Sequence, residues 1–254
     1  MLFRSLSWQQ AHLYKDLEIL YRDIIARNPG GTLAYVNLAG LYGQQGRNAE
    51  AVEMIRTLIA IRPDYAPAYS KLGGHYATQG RFAEAMAAYR SALAIKPNFA
   101  EAHYHLGLAH TAQGRPAEAI AEYQAALAIK PDFVRVYQSL AETYAALGRY
   151  PEAIAALQAA LAITPAYPEV YNNLGLLYRK QGLLAEAITA YRAAITIKPD
   201  FTAAHNNLGA AYGAQGKYLE AIAAWQSAVG LDPTSAAGRA AQANIEIVRA
   251  RLAR

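Results

Sequence analysis

Two asparagine pairs, Asn172-Asn173 and Asn206-Asn207, stand 34 residues apart in a chain of 254 residues. A carboxamide offers a donor and an acceptor together, the complement of the C=O and N–H of an unpaired strand, so a file of such side chains can hold an extended peptide whatever its sequence. At the same two offsets in the preceding segments stand Val36-Asn37, Ser70-Lys71, Tyr104-His105 and Gln138-Ser139, so the file is interrupted in the middle by Lys71, His105 and Ser139. Asparagine is a poor helix former, and four in two adjacent segments argue for use; the alternative is a set of solvated polar residues on an exposed helix face.

Other chemistry has little support. The chain has no cysteine, hence no disulfide framework, thiolate nucleophile or cysteine-based zinc site. His103, His110 and His205 stand at otherwise aromatic positions and read as satisfied core histidines. His75 and His105 lie closer to solvent by register, but no further imidazole or carboxylate can be placed beside them to complete a metal site. No hydrolase elbow, phosphate loop or carboxylate pair breaks the pattern, so the expectation is a chain that is not an enzyme and takes no cofactor and no metal.

The elements that must position the asparagines are repeats. Pro29, Pro63, Pro97, Pro131, Pro165, Pro199 and Pro233 follow one another every 34 residues, and Gly46, Gly80, Gly114, Gly148, Gly182 and Gly216 keep the same step. A fixed period of this size marks a stacked array. With the proline as the thirty-second position, six complete units span 32–65, 66–99, 100–133, 134–167, 168–201 and 202–235. Positions 4, 7, 8 and 11 hold an aromatic or histidine, leucine, a small residue, and tyrosine or His110; that spacing is one face of a helix.

After the glycine, alanine at 20, a bulky residue at 24 (Ile55, Tyr89, Tyr123, Leu157, Tyr191, Trp225) and Leu58 or alanine at 27 predict a second helix. Glutamate at 19 and Pro116 or Pro151 suit its first turn. Asp64, Asn98, Asp132 and Asp200 follow the proline as caps for the next unit. Small residues at 8 and 20 predict a close approach of the two helices.

These positions resemble the tetratricopeptide repeat (TPR) family over all six units. The resemblance implies an all-α fold, an α-solenoid in which antiparallel TPR helix pairs wind as a right-handed superhelix and the first helix of each pair lines a concave groove. Asparagine at position 6 is similar to the asparagine ladder in the TPR superhelix of O-GlcNAc transferases. The peptide-binding residues expected on that face are Asn37, Lys71, Tyr104, His105, Gln138, Asn172, Asn173, Asn206 and Asn207. A carboxylate clamp for chaperone tails is not supplied by any three consecutive units.

Residues 1–31 read as the second helix of a preceding half-repeat, or a cap, because Tyr21 and Pro29 fall at positions 24 and 32. The expected helix runs from 7 to 27, with Ser7 and Gln10 as a capping box and Leu13, Leu17, Leu20, Tyr21 and Ile24 as its apolar stripe. Residues 236–254 read as a C-terminal capping helix, with Ala237, Ala241, Ile245, Val248 and Leu252 inward and Arg239, Gln242, Glu246 and Arg249 outward. The net charge of +5 comes without lysine or arginine runs, which predicts no nucleic-acid partner. No apolar run reaches the roughly 18 residues of a membrane span, and MLFRSLSWQQ lacks a secretory core, so no membrane contact and a cytoplasmic location are expected.

The function these features predict is a protein-protein interaction scaffold holding an extended peptide or helix of a protein partner in the groove. The alternatives are a substrate-recruiting array of a larger enzyme such as a protein glycosyltransferase, and homo-oligomeric self-assembly through stacking of the terminal repeats.

Overall fold

The computed structural model describes residues 2–252, with side chains from Lys15 onward. Among the described residues there are fourteen helices and no strand. Helices α1 (Leu2–Arg27), α2 (Thr32–Gln44), α3 (Asn48–Ile61), α4 (Ala66–Thr78), α5 (Phe82–Ile95), α6 (Ala100–Ala112) and α7 (Pro116–Ile129) form one compact unit, Met1–Pro131. Helices α8 (Val134–Ala146), α9 (Tyr150–Ile163), α10 (Pro168–Lys180), α11 (Leu184–Ile197), α12 (Thr202–Ala214), α13 (Tyr218–Leu231) and α14 (Ala236–Leu252) form a second, Asp132–Arg254. Within each unit, helices of 13 and 14 residues pair antiparallel and stack pair on pair, the all-α solenoid arrangement.

The glycine between the helices of a pair makes the turn. Gly46, Gly80, Gly114, Gly148, Gly182 and Gly216 all lie at φ of 67 to 77°, the left-handed region that ends a helix and that L side chains avoid. The chain then folds back so that the Arg47 N–H donates to the Tyr42 carbonyl at 2.8 Å, and the later turns repeat this bond. A regularity absent from the sequence reading follows the turn: Arg47, Arg81, Arg115 and Arg149 each pair with the glutamate three residues on. Three of these guanidinium groups also cover the rings of Tyr42, Tyr76 and Tyr144 at 4.1, 4.4 and 4.5 Å. Such exposed pairs contribute little to stability.

The expected caps differ. Helices α4, α6, α8 and α12 take Tyr65, Phe99, Phe133 and Phe201 as their N-cap residues, with no side-chain cap bond. Asp64, Asn98, Asp132 and Asp200 sit one residue too early, because the two residues after proline are both needed to turn the chain before helical dihedrals begin.

Close approach within a pair is set by positions 8 and 24 together. A Cβ added at Gly73, Gly107, Gly175 or Gly209 would lie 2.5 to 2.6 Å from the ring of Tyr89, Tyr123, Tyr191 or Trp225. Where position 8 is instead Ala39 or Ala141, position 24 is Ile55 or Leu157. Bare backbone accepts an aromatic face; a methyl group accepts only an aliphatic side chain.

Helix α1 starts at Leu2, five residues before the expected position, which places Ser7 inside the helix and not at its cap. No proline or glycine in residues 2–6 opposes the extension. The side chains of Ser7, Gln10 and Leu13 lie outside the described residues. Leu17, Tyr21 and Ile25 pack on the core around Leu38 and Ile55, whereas Leu20 and Ile24 remain 49% and 39% exposed. Glu18 fastens α1: it accepts from Arg47 at 2.7 Å, the Tyr42 hydroxyl at 2.9 Å and Arg22 at 3.0 Å. The Arg47 hydrogen bond, against the opposing effect of burial, holds the Glu18 carboxyl down at about 2.

At the other end, the Asp232 carboxylate accepts from the Thr234 and Ser235 amides, and Ser235 Oγ accepts from the Gly238 amide at 3.0 Å, capping α14. Gly238, Ala241, Ile245 and Val248 are buried, with Arg239, Gln242, Glu246 and Arg249 exposed; Leu252 is exposed, unlike the expectation.

His103 and His205 meet partners: His103 Nδ1 lies 2.6 Å from Glu122, and His205 Nε2 2.9 Å from the Pro199 carbonyl. His110 does not fit the satisfied-core expectation. It is 3% exposed, and its Nδ1 has no hydrogen-bond partner among the described residues. Burial, with Arg115 and Arg90 adding, lowers its pKa below the ordinary 6.5, so the folded chain holds it neutral while the unfolded chain protonates first. Stability from this site is therefore complete above pH 6.5 and lost as pH falls below it. His110→Tyr, the residue of the other five units, is expected to flatten the acid limb of a stability-versus-pH curve below pH 6.5; an unchanged slope counts against it.

Candidate functional site: the first-helix faces

Positions 5 and 6 of each first helix carry the side chains singled out by type, and their surroundings are set by the neighbouring first helix. In the first unit, Asn37 on α2 and Lys71 on α4 are exposed, while Tyr104 and His105 on α6 are half-buried. The His105 ring stacks on Tyr89 with centroids 5.7 Å apart and planes 17° apart, and lies 5.2 Å from the Tyr104 ring.

In the second unit, Gln138 on α8 accepts a 3.3 Å bond from the Tyr167 hydroxyl. Asn172 on α10 is 7% exposed, against the expectation that it lies on the open face. Its Oδ1 accepts from Asn207 Nδ2 of α12 at 2.9 Å. Helix spacing alone identifies the face turned to the partner helix of the same pair; position 5 turns instead toward the first helix of the next pair, and α10 packs against α12. Asn206, the counterpart of Asn172, lies on α12, which packs against α14, and there Ala241 stands at the register position of Asn207. Its Oδ1 is buried with no hydrogen-bond partner among the described residues, and its backbone carbonyl accepts from the Trp225 indole at 3.1 Å.

A stability difference follows. Asn172→Ala strands the Asn207 amide and is expected to cost about 1 kcal/mol. Asn206→Ala removes an acceptor that satisfies nothing and adds a better helix former, so it is expected to leave stability within about 0.5 kcal/mol or raise it. Urea denaturation of both variants checks the order.

Two clefts open on these faces at matching positions. Between α8 and α10, Glu142, Ala145, Asn173, Leu176, Leu177 and Lys180 border about 370 Å³. Between α4 and α6, Gly74, Ala77, Phe82, Tyr89, His105 and Leu108 border about 270 Å³. In both, positions 9, 12 and 13 of one first helix face positions 6, 9 and 10 of the next. A Cβ at Gly40 or Gly74, both at position 9, meets nothing within 4 Å, so these helix-interior glycines give up about 1 kcal/mol relative to alanine with no packing need. Among the described residues no group of three or more His, Cys, Asp or Glu is placed to hold a metal ion.

The same repeat units are recognised by comparison with known families. A TPR repeat family model matches residues 74–114, 109–148, 141–182 and 175–216, and Tetratricopeptide repeat models match 33–65 and 202–235. The chain belongs to the tetratricopeptide repeat family. Among solved structures, the TPR chain is similar to MamA at 31% identity over 63% of this chain and 94% of that one, with a TM-score of 0.60. It shares its fold with PilF of Pseudomonas aeruginosa at 21% identity over 84% and 97% (TM-score 0.69). It does so too with YrrB, a TPR protein with an unusual peptide-binding site, at 21% over 72% and 95% (TM-score 0.57). No curated protein matches the sequence. As a TPR array the chain is a protein-interaction scaffold. No described helix is long and apolar enough to cross a membrane.

The TPR register located the candidate side chains but not the clefts, the Tyr89–His105 stack or the Asn172–Asn207 bond. Each depends on the packing of one pair on the next. One signal was present in the sequence: glycine at position 9 in two successive units, where a better helix former would serve the helix.

Proposed function

We propose that this TPR chain is a non-catalytic scaffold that receives an extended peptide segment of a protein partner on its first-helix faces. The units would be 32–65, 66–99, 100–133, 134–167, 168–201 and 202–235, flanked by a half-repeat or cap in 1–31 and a capping helix in 236–254. Asn37, Asn173 and Asn207 would address the peptide backbone, with Lys71, Tyr104, His105, Gln138 and Asn206 lining its path. Asn172 would act by orienting Asn207.

The observation that carries this reading is the recurrence of a cleft at the same register positions, once between α4 and α6 and once between α8 and α10. The amides alone give weak binding, at about 0.5–1.5 kcal/mol per hydrogen bond less the cost of ordering the peptide, so micromolar or weaker affinity is expected. The test is affinity capture from source lysate with the native chain and with an Asn37→Ala, Asn173→Ala variant, neither residue being bonded between repeats among the described residues. Partners lost only by the variant support the reading; equal capture by both moves the site elsewhere.

One observation favours a second reading, self-association at the first repeat: Leu20 and Ile24 leave an apolar strip open on α1. Sedimentation at rising concentration distinguishes it, with a constant monomer mass counting against it.

A further inference from the structure

The α4–α6 cleft differs in kind from its counterpart. Phe82, Tyr89 and His105 supply rings, Ala77 and Leu108 supply aliphatic surface, and no Asp, Glu, Lys or Arg lines it, whereas Glu142 and Lys180 line the α8–α10 cleft. The ring wall is fixed: His105 stacks on Tyr89, and Tyr89 is wedged against the bare backbone of Gly73. Its volume of about 270 Å³ exceeds the roughly 150 Å³ of an apolar cavity that accepts benzene. Gly74 opens the mouth: a Cβ there would meet nothing within 4 Å.

Across α2, α4 and α6, positions 2, 5, 6, 9, 12 and 13 carry Lys71 and Glu101 as their only Asp, Glu, Lys or Arg. A charged side chain laid on this face loses water and finds no row of opposite charge, so the face complements an uncharged segment.

We infer that the α4–α6 cleft is the receptor for a bulky apolar side chain, aromatic before aliphatic, carried on an uncharged stretch of the partner peptide. This rests on the reading that first-helix faces receive an extended segment. Rings meet rings edge-on or offset, which the Tyr89–His105 wall offers and an aliphatic pocket does not. Asn37 on α2 and Lys71 on α4 hold the backbone on the α2 side of the anchor.

The test uses the full chain as bait for a phage-displayed library of random dodecapeptides, followed by anisotropy titration of fluorescent synthetic copies of the enriched peptides. The expected result is enrichment of Trp, Phe or Tyr within uncharged neighbours, with about tenfold weaker binding when that residue becomes Ala. Gly74→Leu, which fills the mouth, is expected to weaken binding by a similar factor while keeping the native helical circular dichroism. Gly74→Ala controls for the fold and is expected to raise the thermal midpoint. Peptides insensitive to Gly74→Leu but weakened by Asn37→Ala with Asn173→Ala overturn the cleft assignment and leave the groove reading standing. Peptides insensitive to both sets, enriched peptides without an apolar anchor, or no enrichment at all overturn it as well.

Discussion

Gly175→Ala is expected to destabilise the chain by about 2 kcal/mol, and Tyr191→Leu introduced beside it to recover most of that loss. The added Cβ would lie 2.5, 2.7 and 2.9 Å from Cε1, Cδ1 and Cζ of Tyr191, whose ring is fully buried. Overpacking of this kind costs about 1–3 kcal/mol, sometimes more, and the gain of alanine over glycine in a helix returns only about 1. The rescue is expected because the chain already contains the alternative solution twice, as Ala39 with Ile55 and Ala141 with Leu157. Chemical denaturation of the four chains in a double-mutant cycle measures the coupling. Purely additive losses would show that the two positions do not set each other's size.

Gly238→Ala is expected to undock α14 at a cost of about 3 kcal/mol, the upper end for overpacking. Here the new methyl meets backbone, the Asp232 carbonyl and Pro233 Cα, not a side chain that could rotate away. That backbone is pinned by the Asp232 carboxylate, which accepts from the amides of Thr234 and Ser235. The helix must therefore lift, taking Ala241, Ile245 and Val248 off the core around Trp225. Hydrogen exchange should report the loss locally, with α14 and the end of α13 exposed while α8 and α9 keep their protection, as expected where stability passes between neighbours. Gly230→Ala is the control, since a Cβ there meets nothing within 4 Å. Equal exchange in α14 of both variants would sink the prediction.

What the sequence made legible was whatever is set inside one unit. The left-handed glycines, the buried faces of both helices and their close approach all follow from spacings of three and four residues and a period of 34, and they were read directly. The caps were misplaced by one residue because Asp64 and its counterparts fit the chemistry of a cap and not its position, which Tyr65 and the following phenylalanines occupy. Asn172 was read as open because a helical wheel knows its own partner and not the next pair; its burial requires the rotation between pairs, which no local pattern encodes. His110 looked satisfied for the same reason, since hydrogen bonding to Nδ1 depends on side chains from several helices. The pairing of glycine with aromatic and alanine with aliphatic residues at positions 8 and 24 is present in the sequence, but it shows only when the two positions are compared repeat by repeat.

The six left-handed glycine turns have a genetic consequence. Because each turn has nearly the same φ and the same returning backbone bond, a recombination event that cuts at one and rejoins at another removes or adds a whole number of units and leaves a familiar joint at the scar. Unequal crossing-over within such a gene thus changes copy number in steps of 34 codons, and the junction keeps its packing where it joins two repeats that share the glycine–aromatic pairing of positions 8 and 24, so the number of such repeats becomes the trait most readily altered between descendants.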